Sequence, residues 1–139
     1  MSIRRAGPAD HPRVTEIRHA VRENKLGEAS RALVDAEYPS FQDNPGVWLW
    51  EENGKILGFS ASDTRDGSIF ALFVDPAHER RGIGRPLFEK CLEVLRQHGH
   101  RTAWLTTERG SRAEGFYRAA GWKKIGTSPK GEVIFHGAL

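Results

Sequence analysis

The stretch DPAHERRGIGRPLFEK, residues 75–90, decides the fold. It places Gly82 and Gly84 between an apolar run and an amphipathic run. Three arginines surround these glycines, at positions Arg80, Arg81 and Arg85. Pro86 is compatible with a helix only in its first turn, so the helix must begin near Gly82 or Gly84. Backbone N–H groups at a helix N-terminus lack intrahelical partners and attract anions. Glycines leave room for a phosphate there and arginines add charge, so the stretch predicts a site for a diphosphate or similar anion.

The segments on both sides of this stretch predict a strand, a helix and a second strand. Ile69–Val74 is almost continuously apolar, which is typical of a central strand. After the glycines, apolar residues recur on one helical face until His98-Gly99, and 102–107 reads as a strand. A strand–helix–strand connection is right-handed and joins parallel strands, so these two strands should be parallel.

The remaining segments extend this unit into a mixed α/β sheet. Asn53-Gly54 and Asp66-Gly67 predict two hairpin turns and therefore three consecutive antiparallel strands. The other predicted elements are a strand at 1–5, helices at 11–24, 29–37 and 111–120, and strands at 122–126 and 132–135. We therefore predict one α/β domain over residues 1–139, with a mostly antiparallel sheet and a β-α-β parallel crossover at the anion site.

Composition narrows the functional classes. The net charge is only +3, from 21 basic and 18 acidic residues, which is too weak to indicate a nucleic-acid partner. The single cysteine, Cys91, excludes a disulfide framework and favours a reducing, cytoplasmic location, and it should lie in the core. No apolar run is long enough to predict a membrane span, and the scattered histidines predict no metal site.

Three segments, FALFVDPAHERRGIGRPLF, WLTT and AEGFYRAAGW, resemble the GNAT family of N-acetyltransferases. The resemblance covers almost the whole chain and includes the order of the predicted elements, so it implies a single-domain GNAT-like fold. The family's phosphate loop has the form Gln/Arg-x-x-Gly-x-Gly/Ala, and residues 79–84 match it except at the first position. Glu79 stands where glutamine or arginine is usual.

The resemblance implies that acetyl-CoA is a co-substrate and that no metal is needed. It assigns the main chain of Leu72, Phe73 and Val74 to the pantetheine arm and to the oxyanion that forms during acyl transfer. The residues that it implies around the diphosphate are Arg80, Arg81, Gly82, Ile83, Gly84 and Arg85.

Two residues are candidates for proton transfer. The resemblance implies that Tyr117, in GFYRAAGW, is the general acid that protonates the departing thiolate. Its alternative interpretation is an aromatic ring packed on a helix. Glu23 lies where the family builds its acceptor site and is the candidate base, with Asp63 and Asp66 at the predicted hairpin as alternatives. Removal of the proton through an ordered water stays open.

The predicted function is transfer of acetyl from acetyl-CoA to a primary amine, by direct attack in a ternary complex. The alternative is a non-catalytic, acyl-CoA-binding sensor module with the same fold. A nucleic-acid binder is a second competitor, and the modest charge argues against it. The acceptor is a small-molecule or peptide amine that the sequence does not identify, and a homodimer is compatible with the sequence but not predicted by it.

Overall fold

The computed structural model describes residues 2–20 and 46–139 of the protein. Their strands form one seven-stranded sheet in the order β1-β2-β3-β4-β5-β7-β6. The strands are β1 (Ser2–Arg5), β2 (Val47–Glu52), β3 (Lys55–Asp63), β4 (Ser68–Val74), β5 (Thr102–Thr107), β6 (Lys123–Thr127) and β7 (Val133–Ala138). The α-helices are α1 (His11–Ala20), α2 (Gly84–Gln97) and α3 (Arg112–Ala119), and short 3₁₀ turns cover Pro8–Asp10 and Pro76–His78.

The pairing of the strands confirms the predicted fold class. All neighbouring strands are antiparallel except β4 and β5, which are parallel and are joined through α2. Strand β4 occupies the middle of the sheet, as its apolar sequence predicts. The parallel pair registers only at Ser68 and Trp104, so the two strands separate beyond the start of β4.

Helices α1 and α2 cover opposite faces of the sheet. On β2, Leu49 packs with Val14 and Ile17 of α1, whereas its neighbour Trp50 packs with Leu87 of α2. This alternation is the two-residue period of a strand buried on both faces. The apolar residues predicted for α2 are all buried, namely Ile83, Leu87, Phe88, Cys91, Leu92 and Leu95.

Gly58 on β3 brings the first turn of α2 close to the sheet. A Cβ atom at this position would lie 3.0 Å from the Phe73 carbonyl oxygen and 3.2 Å from side-chain atoms of both Ile83 and Leu87. The nearby Ser60 hydroxyl donates a hydrogen bond of 3.0 Å to the Leu87 carbonyl. These contacts determine how closely the start of α2 approaches the sheet.

Several predicted boundaries differ from the structure. Strand β4 begins at Ser68, one residue before its predicted start. The loop at 64–67 contains the predicted Asp66-Gly67 pair; in it the Asp63 carboxylate accepts the Arg65 N–H at 2.9 Å and the Asp63 carbonyl accepts the Gly67 N–H at 3.0 Å. Strand β7 begins at Val133 and runs to Ala138, three residues beyond its predicted end, since it pairs with β5 along this whole length. Residues 21–24 of the first predicted helix and the predicted helix at 29–37 lie outside the described residues. Within 2–20 and 46–139, no helix is long and apolar enough to cross a membrane.

Candidate active site

The segment between β4 and α2 is held to the rest of the protein at its start. The Asp75 carboxylate accepts the Ala77 N–H at 3.0 Å, which caps the 3₁₀ turn, and the Asp75 N–H donates to the Leu57 carbonyl at 2.8 Å. Arg13 of α1 contacts the same carboxylate at 2.7 Å. The loop therefore leaves the sheet in a direction set by β3 and α1.

Two left-handed residues then turn the chain into α2. Gly82 has a φ of 78°, which only glycine adopts without strain, and Arg80 has a φ of 64° despite its side chain. A non-glycine residue in this region is strained, and such strain is concentrated at functional sites. The helix begins at Gly84, so its unpaired amides follow this turn directly.

A cavity of about 370 Å³ lies between this turn, the end of β4 and α3. Eight of the nine residues predicted at the coenzyme line it: Leu72, Phe73, Val74, Arg80, Gly82, Ile83, Gly84 and Arg85. The ninth, Arg81, lies elsewhere, since its guanidinium contacts the Glu52 carboxylate of β2 at 2.9 Å. The structure thus brings the predicted loop and the predicted strand end together around one space.

The gap between β4 and β5 continues this space into the sheet. A smaller cavity of about 40 Å³ is lined by residues of both strands, among them Ala71 and Thr106. The two cavities share Leu72, Phe73, Ala113 and Tyr117. A groove therefore runs from the N-terminus of α2 to the place where the parallel strands separate.

Tyr117 lies on α3 where the two cavities meet. Its side chain is 6% exposed, and its ring packs against Phe88, Trp122 and Phe135 at centroid distances of 5.6, 6.2 and 6.0 Å. Burial raises the pKa of the Tyr117 hydroxyl well above its ordinary value, with a smaller contribution from Cys91. The hydroxyl is therefore protonated at neutral pH.

Glu79 and Arg112 form an ion pair in the wall of the larger cavity. The Arg112 guanidinium contacts the Glu79 carboxylate at 2.7 Å, and both residues line the cavity. The pair offsets the unfavourable charge that Glu79 would otherwise present to an anion. Sequence reasoning did not identify Arg112, although its spacing from Phe116 places the two on one face of α3.

Asp63 and Asp66, the two candidate bases within the described residues, line neither cavity. Glu23 lies outside the described residues. Asp63 is paired with Arg65 at 2.8 Å, and that hydrogen bond lowers the pKa of the Asp63 carboxyl. Asp66 accepts the Ser68 N–H at 2.9 Å in the loop before β4, and it lines neither cavity.

The described ranges contain neither an accessible cysteine nor a cluster of metal-binding side chains. Cys91 is fully buried, and this burial raises the pKa of its thiol to about 11. No group of three or more His, Cys, Asp or Glu residues among those that the structure describes could hold a metal ion.

Comparisons with known proteins agree with this architecture. Among curated relatives from Escherichia coli (strain K12), the chain is 37% identical over 79 residues to the peptidyl-lysine N-acetyltransferase YiaC, covering 57% of this chain and 51% of that protein. It is 34% identical over 56 residues to the [ribosomal protein bS18]-alanine N-acetyltransferase, covering 39% of this chain and 38% of that protein. The chain thus spans about half, or less, of the length of these curated relatives.

The fold is shared with solved structures at low sequence identity. The PaiA N-acetyltransferase of Thermoplasma acidophilum, solved in complex with coenzyme A, superposes with a TM-score of 0.78 at 16% identity, covering 99% of this chain and 98% of that one. The model of the family described as Acetyltransferase (GNAT) family matches residues 14–122. The chain therefore belongs to the acetyltransferase (GNAT) family.

Proposed function

We propose that this protein transfers an acetyl group from acetyl-CoA to a primary amine by direct attack. The observation that carries this proposal is the pair of adjacent cavities that extend from the N-terminus of α2 to the gap between β4 and β5, with Tyr117 in the wall of both. One end of this space suits a diphosphate and the other suits a reacting thioester.

The diphosphate end fits the anionic part of coenzyme A. A Cβ atom at Gly82 would meet nothing within 4 Å, and one at Gly84 would meet only Val74 Cγ2 at 4.0 Å. Both glycines line the cavity, so the space that side chains would fill is open to a ligand beside the helix amides. Arg80 and Arg85 line the same cavity and supply positive charge. Arg81 is bound to Glu52 and would support the loop from outside.

The other end offers hydrogen-bond donors for the reaction. Beyond Ser68, β4 has no registered partner on its β5 side, so main-chain groups of Leu72, Phe73 and Val74 can face a ligand in the gap. An amide there would stabilise the negative charge that develops on the thioester carbonyl oxygen. The bound coenzyme supplies the acetyl thioester, which is the acyl donor.

The reaction forms one bond and breaks another. The neutral amine nitrogen bonds to the acetyl carbon, the carbon–sulfur bond breaks, and the nitrogen loses a proton. Tyr117 would give its proton to the departing sulfur, because it lines both cavities and its hydroxyl carries a proton at neutral pH. The amine proton would leave through Glu23 or an ordered water, because Asp63 is engaged by Arg65.

The acceptor is proposed to be a primary amine on a peptide or a small molecule. Both curated relatives are named for acetylation of an amine, a peptidyl lysine in one and an alanine of a ribosomal protein in the other. These names support an amine as the acceptor. We further propose that residues 1–139 constitute one catalytic domain.

The test is an amine panel with acetyl-CoA, read out both by thiol release and by the mass of the product. The panel contains a peptide with an internal lysine and a blocked N-terminus, a peptide with a free N-terminal alanine and no lysine, and a polyamine. Pre-acetylated versions of each are the controls. Cys91 is buried, so it should add little background to the thiol assay.

Thiol release in step with acetylated product is the expected result. If the protein bound the coenzyme but released no thiol with any amine, the proposed acetyltransferase activity would be wrong and the acyl-CoA sensor would be favoured. Failure to bind acetyl-CoA would overturn both readings.

A further inference from the structure

We propose that Arg112 binds the phosphates of the coenzyme. Until the coenzyme arrives, Glu79 holds the Arg112 side chain in an ion pair. Glu79 therefore competes with the phosphates for Arg112 and lowers the affinity of the site for acetyl-CoA. This inference rests on the proposed function and adds a residue pair that sets the affinity of the same site.

The pair joins the two walls between which the coenzyme would lie. Glu79 belongs to the loop between β4 and α2, whereas Arg112 is the first residue of α3. Their side chains meet at 2.7 Å, and both line the cavity of about 370 Å³. A phosphate that reaches the amides beside Gly84 would therefore lie close to both members of the pair.

The partial exposure of this ion pair allows Arg112 to leave the Glu79 carboxylate for a phosphate. The Arg112 and Glu79 side chains are 48% and 33% exposed. An ion pair between exposed side chains contributes little stability, because water and salt screen it. Opening it costs little, and a guanidinium binds phosphate oxygens through two parallel hydrogen bonds as readily as it binds a carboxylate.

The charges around the cavity favour transfer of Arg112 to a phosphate. Among the described residues that line the cavity, Glu79 is the only acidic one, whereas Arg80, Arg85 and Arg112 are basic. A diphosphate would repel the Glu79 carboxylate and attract Arg112. The diphosphate that separates Arg112 from Glu79 can therefore bind the Arg112 guanidinium itself.

The ion pair of Arg81 with Glu52 provides a contrast within the same loop. Glu52 contacts Arg81 at 2.9 Å, and neither residue lines the cavity. This pair should stay closed when the coenzyme binds. Glu52 does not compete with the phosphates for Arg112, so its removal should not make Arg112 more available. Glu52→Gln is therefore the matched control for Glu79→Gln, since both remove one carboxylate from an arginine of comparable exposure.

The experiment measures coenzyme A binding by calorimetry for the parent, Glu79→Gln, Arg112→Gln, the double variant and Glu52→Gln at one ionic strength. Glu79→Gln should bind coenzyme A more tightly, by about fivefold, which is the upper range for an exposed ion pair. Arg112→Gln should bind about tenfold more weakly, the loss of one hydrogen bond to a charged group. The double variant should lie between the two, and Glu52→Gln should not bind more tightly than the parent.

A second measurement asks whether the effect comes from the phosphates. S-Acetylpantetheine carries the thioester but none of the phosphates of acetyl-CoA. Glu79→Gln should raise kcat/KM for acetyl-CoA and leave kcat/KM for S-acetylpantetheine within about twofold of the parent, a difference of roughly 0.4 kcal/mol. Thermal unfolding of each variant checks that the fold is retained, and Arg112→Lys, which keeps the charge, should recover part of the lost affinity.

The signs of these effects decide the proposal. If both single substitutions weaken coenzyme A binding equally and the double variant is no worse, the pair stays closed in the complex and the inference is wrong. If Glu79→Gln raised kcat/KM equally for acetyl-CoA and for S-acetylpantetheine, the inference would also be wrong. In either case the parent still binds the coenzyme, so the proposed function stands, whereas a parent that binds no coenzyme A overturns both.

Discussion

The close approach of α2 to the sheet at Gly58 leads to a stability prediction with a built-in control. Gly58→Ala places a methyl group 3.0 Å from the Phe73 carbonyl oxygen and 3.2 Å from Ile83 and Leu87. The carbonyl belongs to the backbone of β4 and cannot move aside alone. Overpacking of this kind destabilises a folded protein by about 1–3 kcal/mol. Replacing a strand glycine by alanine also stabilises the fold by about 0.5–1 kcal/mol, because the unfolded chain loses flexibility. We therefore expect a net loss of about 1–2 kcal/mol in the free energy of unfolding.

The control is a glycine with free space around it. Gly115 lies inside α3, and a Cβ atom there would meet nothing within 4 Å. Gly115→Ala should therefore stabilise the protein by about 0.5–1 kcal/mol through helix propensity alone. Urea unfolding of the two variants and the parent measures both effects. A Gly58→Ala variant as stable as the parent would refute the reasoning, as would two variants that change stability in the same direction.

Three further predictions concern ionisable groups. Tyr117→Phe keeps the ring but removes the donated proton, so kcat should fall by about 10²-fold with the KM for acetyl-CoA little changed, and an unaltered kcat would exclude the general acid. Arg4 lowers the pKa of the Asp10 carboxyl below 3.8 through side-chain hydrogen bonds. Asp10→Asn should therefore cost about 1 kcal/mol near neutral pH, a difference that disappears as the pH falls below 3.8, and a difference independent of pH would contradict this account. Burial raises the pKa of Cys91 from 9.0 to about 11, so the unfolded chain loses this proton first and stability should fall as the pH rises from 9 to 11. Urea unfolding should show a shallower fall over this interval for Cys91→Ala than for the parent, and parallel curves would show that Cys91 does not contribute.

Much of the fold is encoded in local patterns. The burial of Leu87, Cys91 and Leu95 follows from their helical spacing, and Asn53-Gly54 adopts the two positive φ values that a tight hairpin turn requires. These features depend on residues near one another in sequence, so the sequence is sufficient to predict them.

Features that depend on distant residues could not be predicted in this way. The insertion of β7 between β5 and β6 depends on which edge the last strand pairs with, and local spacing does not encode that choice. Trp104 has the aromatic character of a packed strand residue but is 40% exposed, because Leu105 and its alternating neighbours take the covered face.

The same distinction applies to the candidate site. Gly82 and Gly84 were identified because their conformational role and their position before a helix can be read locally. The direction of Arg81 toward Glu52, and the pairing of Arg112 with Glu79, depend on distances between elements far apart in sequence. A positively charged loop could be predicted, but which arginines face the cavity could not.

The central claim is that the open N-terminus of α2 binds the diphosphate of acetyl-CoA, and Gly84→Asp tests it most directly. Position 84 begins α2, where an acidic residue favours the helix by about 0.3–1 kcal/mol, so the variant should remain folded. Its carboxylate would enter the space proposed for the phosphates, and two like charges 4 Å apart repel by about 4 kcal/mol near a protein surface. Gln97→Asp, at the other end of α2, changes the net charge equally and serves as the control.

The measurement is calorimetric titration of acetyl-CoA into the parent and both variants, with thermal unfolding recorded for each. The account predicts that Gly84→Asp unfolds at or above the parent temperature and binds acetyl-CoA at least about 100-fold more weakly, while Gln97→Asp binds like the parent. A folded Gly84→Asp variant that binds acetyl-CoA as tightly as the parent would contradict the account.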